Sequence, residues 1–228
     1  MTIGIIGAGQ IGSALTRRFC DLGFDVSVAN SRGPATLAGL AEKTGARAVT
    51  VEEAARGNDV VIVTIPERSI PDLPADLFAH VSDDVVVVDT GNYYPQQRDG
   101  LIAAIESGTT ESGWVRERVG RPVVKAFNNI MAQHLENDGK PAGTAGRIAL
   151  PISGDDVTAK NLVKQLIDQL GFDTVDNGVL DHSWRQQPGT PVYGKDFDAA
   201  GVSLALSQAK KERAPEWRAA ADAPGSEA

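Results

Sequence analysis

Three glycines, Gly7, Gly9 and Gly12, follow directly on the apolar run Ile3 to Ile6 and open a stretch with apolar residues at helical spacing. No other feature constrains the chain as much. Gly7 permits a tight turn out of a strand, Gly9 leaves bare backbone for a ligand to approach, and Gly12 lets a helix lie close against the strand. From Ile11 to Leu22 the apolar positions are Ile11, Leu15, Phe19 and Leu22, with Arg17, Arg18 and Asp21 facing out, as an amphipathic helix requires. The first turn of such a helix carries free N–H groups and partial positive charge. The junction is therefore suited to phosphate.

The same alternation continues. Val26 to Ala29 reads as a strand, Pro34 opens a helix to about Lys43, Ala46 to Val49 is a third strand, and Glu52 to Ala55 a short helix. Val60 to Ile65 and Val85 to Val88 are unbroken β-branched runs, the mark of strands inside a parallel sheet covered on both faces. Val123 to Ala126 and Ile148 to Ile152 are further strands, and a helix from Asp156 to Leu170 precedes a strand at Phe172 to Val175. Beyond Asn177 the pattern weakens to a loop, Asp181 to Tyr193, and a final helix, Ala199 to Lys211. Repeated βα units imply an α/β, Rossmann-type doubly wound fold with a mainly parallel sheet. The expected division is a dinucleotide-binding domain over 1–126, a small C-terminal α/β lobe over 127–216, and a flexible tail over 217–228. The 228 residues leave too little chain for a large helical C-terminal domain.

A net charge of −8 argues against a nucleic-acid partner. No apolar stretch approaches the roughly 18 residues of a membrane span. A strand begins at Thr2 with no basic n-region, so no signal peptide is expected. The single cysteine, Cys20, rules out an internal disulfide and a Cys-rich metal site, and points to the cytoplasm. The three histidines, His80, His134 and His182, show no metal-ligand spacing. No metal is expected.

The end of the second strand selects the cofactor. NAD enzymes usually place an acid there for the ribose 2′-hydroxyl; this chain has Asn30, Ser31 and Arg32. A hydroxyl and a guanidinium invite a 2′-phosphate that an acid would repel, so NADP(H) is expected. The turns Thr64-Ile65-Pro66 and Asp89-Thr90-Gly91-Asn92 end the most apolar strands and should flank the cofactor. Asn92 fits either a cofactor contact or a turn cap.

With GAGQIG, Asn30-Ser31-Arg32, TIP at 64–66, KAFN at 125–128 and GDD at 154–156, the chain resembles the NADPH-dependent reductases of the deazaflavin coenzyme F420 from Ile3 to about Tyr193. It is also similar, at KAFN, to the cytosolic oxidoreductase domains of the STEAP metalloreductases. The resemblance implies hydride transfer between NADPH and a stacked flavin-like ring. It implies that Gly7, Gly9, Gln10, Ile11 and Gly12 hold the pyrophosphate and that Ser31 and Arg32 hold the 2′-phosphate. It further implies that Thr64, Ile65 and Pro66 lie by the nicotinamide ribose, and that Lys125, Ala126, Phe127 and Asn128 form a wall by the nicotinamide. Two positions depart from the family pattern: Ala8 replaces a usual Thr, and Thr36 a usual basic residue.

Hydride transfer between planar rings asks for alignment more than for acid–base groups, and the chain shows no GxSxG nucleophile motif. The catalytic candidates are Lys125, as an ordering group or acid, and Asn128, as a donor to a ring carbonyl. Each has a structural alternative, an ion pair for Lys125 and a turn for Asn128. The loop 183–191, with Trp184, could be a lid, a dimer contact or core. Phe127, Asn128 and Trp184 are the substrate candidates, and a homodimer is expected because the short chain leaves a cleft that a partner would complete. Two rival functions stay open: reduction of a flavin, quinone or carbonyl substrate, and NADPH sensing without turnover.

Overall fold

The computed structural model describes residues 1–220. Six parallel strands form one sheet: β1 (Thr2–Ile6), β2 (Asp25–Ala29), β3 (Arg47–Ala48), β4 (Val60–Val63), β5 (Val86–Asp89) and β6 (Val123–Lys125). Their order is β3-β2-β1-β4-β5-β6, so the chain winds outward from β1 in both directions. The crevice between those two halves, at the carboxyl ends of the strands, is where such sheets bind ligands.

The apolar strands feed two cores at once. In β1 and β4, Ile3, Ile5, Val60 and Ile62 join one hydrophobic cluster, while Ile6, Val61 and Val63 join the other. Successive side chains point to opposite faces, so a sheet covered on both sides needs apolar residues at every position. The first face is covered by α1 (Gln10–Asp21) and α2 (Ala38–Thr44), which contribute Leu15, Phe19 and the partly buried Leu40. The second is covered by α3 (Val51–Ala55), α4 (Ala103–Glu106) and α5 (Glu111–Val119), with Ala54, Ile105, Trp114 and Val115 in its core.

Past β6 come α6 (Ala132–Asn137), β7 (Ala149–Ile152), α7 (Val157–Gln169), β8 (Asp173–Asp176) and α8 (Ala199–Gln208). β7 and β8 pair in parallel as a second, two-stranded sheet. A single antiparallel bridge, Lys125 with Ser153, ties it to the main sheet. Leu150, Ile152, Val163, Leu166 and Ile167 sit in the same hydrophobic cluster as Ile3 and Phe19. The C-terminal segment thus shares a core with the main sheet. Arg17 on α1 makes a two-pronged contact with Glu136 on α6, at 2.7 and 2.9 Å.

The differences from expectation are local. The third strand is two residues long rather than four, and Pro34 opens a 3-10 turn, Pro34–Leu37, before α2. The stretch from Leu180 to Gln186 is a 3-10 helix rather than open loop, and α8 stops at Gln208 instead of Lys211. Part of the expected tail, 221–228, lies outside the described residues. Among the described residues no helix is long and apolar enough to cross a membrane, and no group of His, Cys, Asp and Glu could hold a metal ion.

Candidate dinucleotide-binding cleft

A cleft of about 730 Å³ opens at the carboxyl ends of β1, β2 and β4. Its floor is the glycine turn. The Gly7 N–H donates to the Ala29 carbonyl at 2.8 Å, and the Thr64 N–H donates to the Ile6 carbonyl at 2.8 Å, so the ends of three strands lock the turn. Gly7 has φ +115°, a region that side chains disfavour. A methyl on Gly12 would collide with the Gly7 carbonyl and the Thr64 methyl; one on Gly9 would meet nothing within 4 Å. Gly12 therefore serves packing, and Gly9 leaves open space. No side chain caps α1, so the first amides of that helix remain available to an anion. Gln10 is exposed and Ile11 half-buried in that first turn.

At the end of β2, Asn30, Ser31, Arg32 and Gly33 line the cleft. The Asn30 carboxamide accepts from the Arg32 N–H at 2.9 Å and donates to the Thr36 hydroxyl at 2.9 Å. Thr36 in turn donates to the Gly33 carbonyl at 2.8 Å. Arg32 is exposed and makes no salt bridge among the described residues. Thr64, Ile65 and Pro66 form the facing wall. Sequence reasoning missed the rest of the lining: Thr50, Val51 and Glu52 at the start of α3, and Ser69, Asp72, Leu73 and Pro74 after the Pro66 turn. Position after a short strand or turn was their one signal, and their residue types carry none.

The expected acceptor-side residues lie elsewhere. Lys125 is fully buried; its ammonium donates to Asp89 at 3.0 Å and to the Gly91 carbonyl at 2.6 Å. Burial alone would lower its pKa, but its acidic surroundings, Asp89 first, outweigh that and hold it above the ordinary lysine value. It stays charged and does not reach the cleft. Ala126 is also fully buried. Phe127, at φ 61°, is 1% exposed and packs in the first core, so it presents no surface to a substrate.

Asn128 is buried and its amide is committed. It donates to the Asn92 side chain at 3.0 Å and to the Gln186 carbonyl at 2.7 Å, and accepts from Gln186 Nε2 at 2.9 Å. Asn92, half-buried, donates back to the Asn128 carbonyl at 2.8 Å. Trp184 lines a separate depression with Ile105, Thr110 and Arg213, and Arg185 stacks on its ring at 5.2 Å. The structure thus brings Gly7, Gly9, Asn30, Ser31, Arg32 and Thr64 to Pro66 onto one cleft, and leaves Gln10, Ile11, Gly12, Asn92, Lys125, Ala126, Phe127, Asn128 and Trp184 off its lining.

Strand order and cleft together define a Rossmann-type dinucleotide-binding α/β protein. Residues 2–93 match the family model described as NADP oxidoreductase, coenzyme F420-dependent. The hypothetical protein SMa0349 from Sinorhizobium meliloti is 37% identical, with a TM-score of 0.73 over 86% of this chain and 95% of that one. A candidate F420-dependent NADP-reductase from Arthrobacter sp. FB24 shares the fold at 22% identity, with a TM-score of 0.66 over 81% and 87% of the two chains. YjhV of Escherichia coli (strain K12) is 39% identical over 91 residues, which span 40% of this chain and 59% of that relative. Over residues 2–93 the chain is thus similar to the coenzyme F420-dependent NADP oxidoreductases, and over most of its length it is related to SMa0349.

Proposed function

We propose that this cleft holds NADP(H) and that the chain transfers hydride between it and a deazaflavin-type ring of the coenzyme F420 class. The observation that carries the cofactor half is Arg32, which lines the cleft beside Ser31 with no carboxylate partner among the described residues. An acid at this turn would repel a 2′-phosphate, whereas a guanidinium meets one with charge-assisted hydrogen bonds. The uncapped start of α1 suits the pyrophosphate. When bound, the nicotinamide supplies the hydride.

The chain's own part is placement. Asn30 and Thr36 brace the turn that carries Ser31 and Arg32. Gly9 leaves room for the diphosphate, and Ile65 and Pro66 give an apolar wall that keeps water from the reacting face. The deazaflavin half is supported by the family match. The same reading places the chain's activity in the cytoplasm, as a homodimer.

Titration of protein fluorescence tests the cofactor half. A charge-assisted contact contributes about 1.5–3 kcal/mol, so NADPH should bind roughly tenfold to a hundredfold more tightly than NADH. Arg32→Ala should erase most of that difference and leave NADH affinity nearly unchanged. Equal dissociation constants in the wild type would refute the assignment. For the acceptor, NADPH oxidation with the deazaflavin is expected. Turnover with free flavin alone would reassign the acceptor, and turnover with neither would favour a sensor.

A further inference from the structure

Glu67 is fully buried, and neither oxygen of its carboxyl group has a hydrogen-bond partner among the described residues. It follows directly on the Thr64-Ile65-Pro66 wall and opens the 3-10 segment Glu67–Asp72, whose Ser69 and Asp72 also line the cleft. The carboxyl lies over Gly91 at the end of β5, where any side chain would collide with Glu67 Oε1 and crowd Asp89. The absence of a side chain at 91 leaves the space that Glu67 fills.

The charged groups facing Glu67 come from each neighbouring element: Asp89 from β5, Lys125 from β6, Glu111 from α5, and Asp99 from the turn after β5. Their cations are already committed. Lys125 serves Asp89 and the Gly91 carbonyl, Arg213 pairs with Glu111, and Arg98 holds Asp99 at 2.8 Å. Among the described residues no cation is within hydrogen-bond reach of Glu67. Burial first, and then the negative charge of Asp89, raise its pKa well above the ordinary glutamate value, with Lys125 opposing. At the ordinary pKa of an exposed glutamate it is therefore still a neutral acid.

We propose that Glu67 is a positioning residue: as a neutral acid it seats the Thr64–Pro66 wall on the Gly91 turn, and losing its proton unseats that wall. An ionised carboxylate beside Asp89 and Glu111 must move toward water. Through Pro66 and Ser69 that movement displaces the cleft lining. The consequence for cofactor affinity rests on the NADP(H) reading above; the consequence for stability does not.

The sign follows from the raised pKa. The folded state holds this proton more tightly than the unfolded chain, so the stabilisation is complete below the ordinary glutamate value. It is lost as pH rises through the folded-state value. Glu67→Gln keeps the shape and cannot ionise.

Melting temperatures of the two proteins between about pH 5 and pH 9 should diverge, with the variant gaining on the wild type as pH rises. The dissociation constant of NADPH should rise at least about fivefold more in the wild type than in the variant over that range. Comparing the two proteins cancels the titration of the cofactor's own phosphate. Glu67→Met, also neutral and of similar length, serves if the amide variant does not fold. In addition, the infrared absorption of a protonated carboxyl group at about pH 5, just above the ordinary glutamate value, should weaken in either variant. A melting difference that does not change with pH overturns the proposal, as does an unaltered carboxyl band. If NADPH binds neither protein, the cofactor reading fails while the melting comparison still decides the role of Glu67.

Discussion

Asn128 shows how a side chain with the right chemistry is claimed by the fold. A carboxamide at the end of β6 could donate to a ring carbonyl, yet its N–H groups and oxygen are already shared among Asn92 and Gln186. Asn128→Leu should therefore act first on stability. It leaves Gln186 Nε2 and the Asn92 oxygen short of a partner in a buried setting, a loss of about 2–4 kcal/mol in urea denaturation. Turnover that falls with stability unchanged would restore a direct role in the site. Lys125 follows the same logic: its charge is retained, and it serves the Asp89–Gly91 turn. Arg32 is the contrast, a charged residue on the cleft wall with no salt bridge among the described residues.

At the level of elements, the helices are set by caps and apolar stripes that the sequence displays openly. α7 begins at Asp156, whose carboxylate accepts from the Thr158 and Ala159 N–H groups at 2.7 and 3.1 Å. Its buried stripe, Val163, Leu166 and Ile167, enters the first core. Asp156→Ala should cost about 1 kcal/mol, read as a lower melting temperature with the cofactor affinities unaltered. α5 was not anticipated at all. Its residues Glu111, Ser112 and Gly113 are buried although polar or small, because Glu111 pairs with Arg213 and Ser112 donates to Asp89 at 2.6 Å. A helix whose inward face is polar shows no apolar period to read.

Across the whole molecule, the C-terminal segment folds back onto the turn after β5 and onto α5. Gln96 donates to the Pro215 and Arg218 carbonyls at 3.2 and 3.0 Å, and Trp217 packs near the Tyr94 and Tyr193 rings, each 6.2 Å away between centroids. Met131, Phe197 and Leu204 stay exposed in the C-terminal half. Their exposure leads us to expect a dimer. Light scattering at micromolar concentration should give twice the 24.0 kDa of one chain; a mass of one chain would count against it.

The glycine junction, the β-branched strands and the Asn30–Arg32 turn could be read along the chain because each depends on neighbours close in sequence. Backbone freedom at Gly7, apolarity at every position of β4 and the missing acid after β2 are local facts, and they led to the doubly wound sheet and the glycine-turn side of the cleft. Burial of Lys125, Phe127 and Asn128, the isolation of Trp184 and the unpaired acid at Glu67 were not legible in that way. Each depends on which distant groups the fold brings alongside: Asp89 and Gly91 beside Lys125, Gln186 beside Asn128, and a core around Phe127. A residue type states which interactions are possible. Only the packed chain settles which of them are already taken, because a buried polar group must find its partner inside the protein.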